Sequence, residues 1–290
     1  MTEEQSKEFP CDLCGAVDAI EVPHARKYTE NQPIHICTRC GFVYVKQRRS
    51  AKAIADTWAN EWYKNKEHGY TSQIPAVKAR LTYVADFINS HIPLQGKEVC
   101  DIGAGEGDFL KMIRDEYGAR VFGIEPSHDN CARLTKMGMP NFDGTIEEYI
   151  TTGQSKNYQA DVVTIVWTLE NCVSCRDMLS AAYSIVKDRG YVVVATGSRI
   201  LVPFKKPLSY YLDPNFVDTH CFRFSANTLR GMLAVSGFEA THINRYIDSD
   251  WLCVIAKKRP VGTQILWEKD DYKKVADFFE RWHKETEFYR

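Results

Sequence analysis

Three sets of residues have the types and spacing for chemistry. The first is Asp101-Ile102-Gly103-Ala104-Gly105-Glu106-Gly107, set between an apolar run and an amphipathic one. Glycine at every second position lets a backbone turn tightly and approach a ligand that any Cβ would push away. The dinucleotide fingerprint G-x-G-x-x-G places its third glycine one residue later, where this chain has Asp108. Glu125, followed by Pro126, falls about 20 residues past the turn, where a Rossmann-like site puts a carboxylate to accept hydrogen bonds from ribose hydroxyls. The second set is Cys11-x-x-Cys14 and Cys37-x-x-Cys40, each knuckle followed by glycine, Gly15 or Gly41. Two facing knuckles supply the four thiolates of a closed, structural zinc site, and His24 and His35 between them are read as bystanders. Cys172 and Cys175 form a third such pair with no matching pair nearby. The third set is His220-Cys-Phe-Arg-Phe-Ser225, ahead of an amphipathic stretch and Gly237-Phe238.

These residues need elements to hold them. From Gly96 onward strand-like and helix-like stretches alternate, which predicts a mostly parallel sheet with helices on both faces. Strands are expected at Glu98–Ile102, Arg120–Ile124, Asn141–Phe142, Asp161–Leu169 and Gly190–Thr196. An antiparallel hairpin, Glu239–Ile247 with Trp251–Ala256, closes the sheet through 248–250. Helices are expected from Asp108 to Tyr117, from Ser127 (as cap) to Met137, and from Ser174 or Cys175 to Lys187. Thr145 and Glu148 have the spacing of a capping box. Upstream, Lys46-Gln-Arg-Arg-Ser50 reads as a small, solvated basic linker, and Ala51–Lys66 and Ala76–His91 read as helices, the first with Ile54, Trp58 and Trp62 at near-helical spacing, the second with a stripe at Val77, Leu81, Val84 and Ile88. Residues 199–219 carry three prolines and several aromatics, leave strand five at the ligand edge and read as an acceptor lid. Ile265 to Tyr289 reads as a tail helix that packs on the body or builds a homodimer. The divisions expected are 1–50 (zinc module), 51–95 (helical lead-in), 96–258 (Rossmann-like domain) and 259–290 (C-terminal helix).

The run D-x-G-x-G-x-G with Glu125 resembles motif I of the class I S-adenosylmethionine (SAM) methyltransferases. Together with the two knuckles and the H-x-x-x-F-S, helix, G-F pattern, the chain is similar to zinc-containing enzymes of the deoxysugar C-methyltransferase type. That resemblance implies a seven-stranded α/β fold, SAM and zinc as cofactors, and a small sugar-type acceptor. For SAM it implies the glycine turn with Asp101 orienting it, and Glu125 with Pro126. It also implies Thr145 and Ile146 near the adenine, Trp167, Thr168 and Glu170 at the sheet edge, and Tyr70 as a cover. It gives His220 the place of the general base, and an imidazole of ordinary pKa, about 6.5, suits that task. Val217 and Thr219 stand where the family carries helper residues for removing a proton from carbon. Methylation of a hydroxyl is therefore the primary expectation, with C-methylation as the alternative.

Composition bounds the rest. The chain has 290 residues and a formal net charge of −1 at pH 7. This leaves no overall electrostatic footprint for nucleic acid and makes an RNA base methyltransferase a weaker alternative. Lys205 and Lys206 suit a phosphate locally, and Tyr210 and Tyr211 a ring. A polar, acidic start and strand-sized apolar runs predict a cytoplasmic protein without a membrane span, whose ten cysteines stay reduced. A SAM-binding adaptor without activity is the reading from another class; Asp101, Glu125 and all three glycines count against it.

Overall fold

The computed structural model describes residues 6–62, 74–154, 158–212, 220–249 and 251–289. Tyr70, Val217 and Thr219 lie outside them. The N-terminal portion is built of short strands: β1 (Lys7–Glu8), β2 (Ala19–Glu21), β3 (His35–Cys37), β4 (Val43–Tyr44) and β5 (Gln47–Arg48), with one helical turn, α1 (Ala25–Tyr28), after β2. Gly15 and Gly41 take φ of 72° and 73°, the left-handed bend that each knuckle needs after its second cysteine. Their amides donate back to the Cys11 and Cys37 carbonyls.

The lead-in begins with α2 (Ala51–Thr57), capped by the Ser50 hydroxyl, and widens into a π-helical turn over Trp58–Trp62. α3 spans Pro75–His91 and buries Val84, Ala85 and Ile88. Then comes the alternation: β6 (Glu98–Ile102), α4 (Asp108–Tyr117), β7 (Arg120–Glu125), α5 (His128–Lys136), β8 (Asn141–Asp143), α6 (Ile146–Thr151), β9 (Ala160–Val166), α7 (Cys175–Ile185) and β10 (Val186–Thr196). After these run α8 (Leu208–Leu212), β11 (Phe222–Arg223), α9 (Ala226–Val235), β12 (Phe238–Ile243), β13 (Leu252–Lys258) and α10 (Tyr272–Thr286).

The main sheet has seven strands in the order β12-β13-β10-β9-β6-β7-β8, with β12 and β13 antiparallel to their neighbours and the rest parallel. The order reverses between β6 and β9, and both carboxyl ends open there onto the crevice where such sheets bind ligands. This is the α/β, Rossmann-like arrangement expected, with helices on both faces.

Several boundaries differ from expectation. β9 stops at Val166, not Leu169, because Trp167 takes φ +55° and a 3-10 turn follows over Leu169–Asn171. The hairpin has a longer connection, 244–251, because the Asn244 amide replaces ladder bonds, donating to the Trp251 carbonyl and accepting from the Cys253 amide. The tail becomes helical only at Tyr272, where the Asp271 carboxylate caps it. Before that, Trp267 lies against Gly231, whose missing Cβ would stand 2.6 Å from the ring.

The N-terminal strands do not stand apart. β11 adds to their sheet, giving the order β11-β4-β3-β2. A separate core joins Ile34, Ile36 and Val43 to Ile200, Leu208 and Leu212, and to Val275, Phe279 and Trp282 of α10. The tail helix thus packs on its own chain. Trp282 donates its indole N–H to the Lys206 carbonyl and stacks on Phe204. Trp282→Ala should therefore lower stability by about 3–5 kcal/mol in denaturant titrations, the cost of truncating a buried aromatic.

Candidate active site

The glycine turn is set by its flanks. Gly103, Gly105 and Gly107 all have positive φ, from 55° to 81°. At Gly103 a Cβ would stand 2.5 Å from the Thr168 side chain, so the turn and the β9 edge fit only without one. Gly107 is the N-cap of α4; its missing Cβ faces Leu134 and Met139, and it borders neither cavity described below.

Glu125 ends β7, 4% exposed, and bridges the turn to the next helix. Its carboxylate accepts from the Gly105 amide at 2.8 Å and the Ser127 amide at 2.9 Å. Burial pushes its pKa up and these amides oppose the shift. Asp101 is buried too, and its carboxylate accepts from the Thr164 hydroxyl at 2.6 Å. That bond ties it to the neighbouring strand β9. Burial holds Asp101 well above the carboxylate range. Two carboxyls held up by desolvation favour a cationic ligand, whose charge would offset the penalty.

Two cavities meet at the carboxyl edge. The smaller, of about 150 Å³, is bordered by Gly103, Glu125, Pro126, Thr145, Ile146, Trp167 and Thr168. The larger, of about 550 Å³, holds Asp101, Gly103, Ala104, Gly105, Trp167, Thr168, Glu170 and His220. Gly103, Trp167 and Thr168 border both. Thr145 is also the cap of α6, completing its box with Glu148. The fold thus gathers every sequence-predicted cofactor residue among the described ones except Gly107. It also adds walls that the sequence reading missed, Trp58, Val173 and Met178 in the smaller cavity and Arg80 and Tyr246 in the larger, which Arg199, the first residue of the expected lid, borders as well. Trp58 had been read only as part of a helical stripe; the others carry no local signal.

Ionisable groups of both signs border the larger cavity. Asp101, Glu106 and Asp108 belong to the glycine turn and the start of α4, the last two paired with Arg133 at 3.6 and 3.0 Å, and Arg199, Lys205 and Lys206 come from the stretch after β10. Lys205 and the Arg199 guanidinium sit over the Tyr246 ring, 4.7 and 5.6 Å from its centre.

His220 is held in a left-handed conformation, φ +58°, with its amide donating to Asn171 Oδ1 and its Nδ1 3.2 Å from Ser198 Oγ. Burial, then the Arg223 and Lys206 cations, lower its pKa to about 3. The ordinary value assumed from sequence does not hold, because burial and both cations come from the fold. Glu170 is 1% exposed; its Oε1 accepts from the Gly197 amide, and its Oε2 has no partner among the described residues. Burial raises it to about 7.

Cys11, Cys14, Cys37 and Cys40 bring their sulfurs within 4.8 Å of one another, with Cys11–Cys40 at 3.6 Å and Cys14–Cys37 at 3.5 Å. A tetrahedral zinc thiolate shell has edges of about 3.8 Å, so these donors fit the ion. Crowding fits it too: the Cys37 and Cys40 sulfurs and burial push the Cys11 thiol far up, a penalty that a dication would remove. Cys172 and Cys175 both point at the Leu169 carbonyl and belong to no such cluster among the described residues.

No described helix is long and apolar enough to cross a membrane. The profile of a family described as "Methyltransferase domain" matches residues 70–243. The ubiquinone biosynthesis O-methyltransferase of Burkholderia multivorans is 31% identical over 120 residues, 40% of this chain and 50% of that protein. Its counterpart in Burkholderia vietnamiensis is 32% identical over the same shares. The chain spans about half the length of the curated relatives it matches. Among solved structures, the 1,6-didemethyltoxoflavin-N1-methyltransferase of Burkholderia thailandensis, with its acceptor and S-adenosylhomocysteine bound, superposes at a TM-score of 0.53 and 12% identity, over 78% of this chain and 98% of that one. The magnesium protoporphyrin IX methyltransferase of Synechocystis PCC 6803, with S-adenosylhomocysteine bound, does so at 0.50 and 15% identity, over 71% and 99%. At these identities the likeness is one of fold. With the profile covering more than half of its length and the strand order, glycine turn and Glu125 in place, this chain belongs to the methyltransferase domain family and has the class I SAM-dependent methyltransferase fold.

Proposed function

We propose that this chain transfers a methyl group from SAM to a hydroxyl of a small polar acceptor of the sugar or sugar-nucleotide kind. The observation that carries the reading is the shared wall of the two cavities, with Glu125 and Ile146 on one side and His220 on the other. Bound SAM would supply an electrophilic methyl carbon on a sulfonium. Glu125 would accept from the ribose hydroxyls, Ile146 and Trp167 would flank the base, and the acids of the glycine turn suit the α-ammonium of the amino-acid end. Holding the reactants in line can contribute on the order of 7–11 kcal/mol.

The neutral imidazole of His220 would take the hydroxyl proton as the oxygen loses it. A base held at about 3 is weak, which suits an oxygen acceptor better than carbon. The O-methyltransferase names of the curated relatives agree with oxygen. Arg199, Lys205 and Lys206 favour an acceptor that carries an anion, such as the phosphate of a sugar nucleotide. An anion there would offset the field of Lys206, the smallest of the three causes that depress His220. In the N-terminal portion the four cysteines would hold zinc as a structural ion, with no position left for substrate.

Three measurements test this reading. His220→Ala should cut turnover at least about a hundredfold while leaving affinity for S-adenosylhomocysteine within about twofold, so that kcat falls without a matching change in cofactor binding. Metal analysis should find about one zinc per chain, and a chelator should unfold the N-terminal strands. Glu170 tests the electrostatics. An acid whose folded pKa lies above its unfolded value makes stability fall as pH rises between the two, here from 4.5 to about 7. Relative to wild type, Glu170→Gln should gain about 3 kcal/mol between about pH 4 and about pH 8 in urea titrations; a gain that does not change with pH would refute the shift.

A further inference from the structure

Arg48 is a basic residue of a segment that reads from sequence as a solvated linker, yet it is 1% exposed. Its guanidinium lies between the rings of Phe9 and Phe222, 4.2 and 4.8 Å from their centres. One edge donates twice to the Asp12 carboxylate, at 3.2 and 2.8 Å, and Nη1 also donates to the Val173 carbonyl at 2.5 Å. Asp12 stands inside the first knuckle, between Cys11 and Cys14. Its Oδ1 accepts in turn from the Cys175 amide, the first residue of α7, at 3.2 Å. Arg176 adds two donations, to the Asp12 and Leu13 carbonyls, both at 3.0 Å.

The stretch from Cys172 to Cys175 is therefore held from the knuckle side at three successive points: the Val173 carbonyl, the Cys175 amide and the Arg176 side chain. On its other side Asn171, Cys172 and Val173 border the smaller cavity. Asn171 also receives the His220 amide, and the Val45 amide donates to the Cys221 carbonyl beside it. We propose that Arg48 and Asp12 are positioning residues for the cofactor site, transmitting the geometry of the four-cysteine knuckles to the loop that floors it. Neither residue borders a cavity, so their effect passes through the backbone of 171–175. The pairing is selective for arginine: only a planar fork bonds a carboxylate twice and a carbonyl at the same time, and lysine offers a point charge on a flexible stem.

The inference rests on the reading that the smaller cavity takes SAM, and the experiment separates the two. S-adenosylhomocysteine is titrated by calorimetry into the full chain as wild type, Arg48→Lys and Asp12→Asn. Hydrogen exchange of the 169–180 peptide is followed in parallel. Leu94→Ala serves as a control, because Leu94 is a buried core residue before β6, at the opposite edge of the sheet. In Arg48→Lys, affinity should fall at least about tenfold and the 169–180 amides should exchange faster than those of 108–117, the size of loss seen when a supporting contact is removed. Leu94→Ala should lower thermal stability without moving affinity. No heat with the wild type would sink the cofactor reading itself. Wild-type binding with unchanged affinity and unchanged local exchange in both variants would overturn the positioning role. So would a loss that Leu94→Ala reproduces at equal stability. If Arg48→Lys does not fold, Asp12→Asn decides by the same two readouts, and if neither folds, the role is structural and the proposal fails.

Discussion

A buried guanidinium–carboxylate pair, Arg48 with Asp12, is the constraint on which the arrangement of this protein turns. Removing two charges from water is costly, and further hydrogen bonds offset part of that cost. Here the Val173 carbonyl, the Cys175 amide and two aromatic faces surround the pair, while the Arg48 Nε has no partner among the described residues. Burial pushes Asp12 upward in pKa while Arg48 opposes it, so the ionised carboxylate depends on its partner. Such a pair adds little net stability over an apolar packing of the same volume. What it contributes is a fixed relative placement of the knuckles and the sheet edge, because both terminal nitrogens of Arg48 are bonded at once to Asp12 on the knuckle and one of them to Val173 on the loop.

Around that point the electrostatics divide by task. The glycine-turn end holds carboxyls raised by desolvation, suited to a ligand that brings positive charge. The larger cavity is also bordered by cations, of which Lys206 adds to the burial and the Arg223 cation that depress His220. Under the proposed function the acids would face the ammonium of the donor and the cations an anion on the acceptor. Trp167 and Thr168 stand at the division, carried there by the bend that ends β9.

Much of this was legible along the chain because it is local. A strand, three spaced glycines and an amphipathic helix announce themselves within a dozen or so residues, as do the Thr145–Glu148 box and both knuckles. Glu125 was found by its distance from the turn. What could not be read depends on residues far apart. Arg48 looks like any linker arginine until Val173 is set beside it. The apolar run through Leu169 suggests a longer strand because composition does not record that the backbone bends at Trp167. The pKa of His220 follows from burial and two cations that no spacing rule supplies. The tail helix shows its amphipathic face but not the partner that covers it, and Trp58 shows a stripe but not the cavity that it borders.

The pairing of β4 with β11 has a consequence for how the chain is made. The N-terminal sheet borrows its outer strand from residues Phe222–Arg223, and α10 covers the core beside it. As the polypeptide leaves the ribosome, the knuckles can close early, but the exposed edge of β4 must wait until most of the chain has been synthesised. Until then a row of unpaired backbone donors and acceptors is open to other nascent chains. The knuckle module is therefore finished only after β11 has been made.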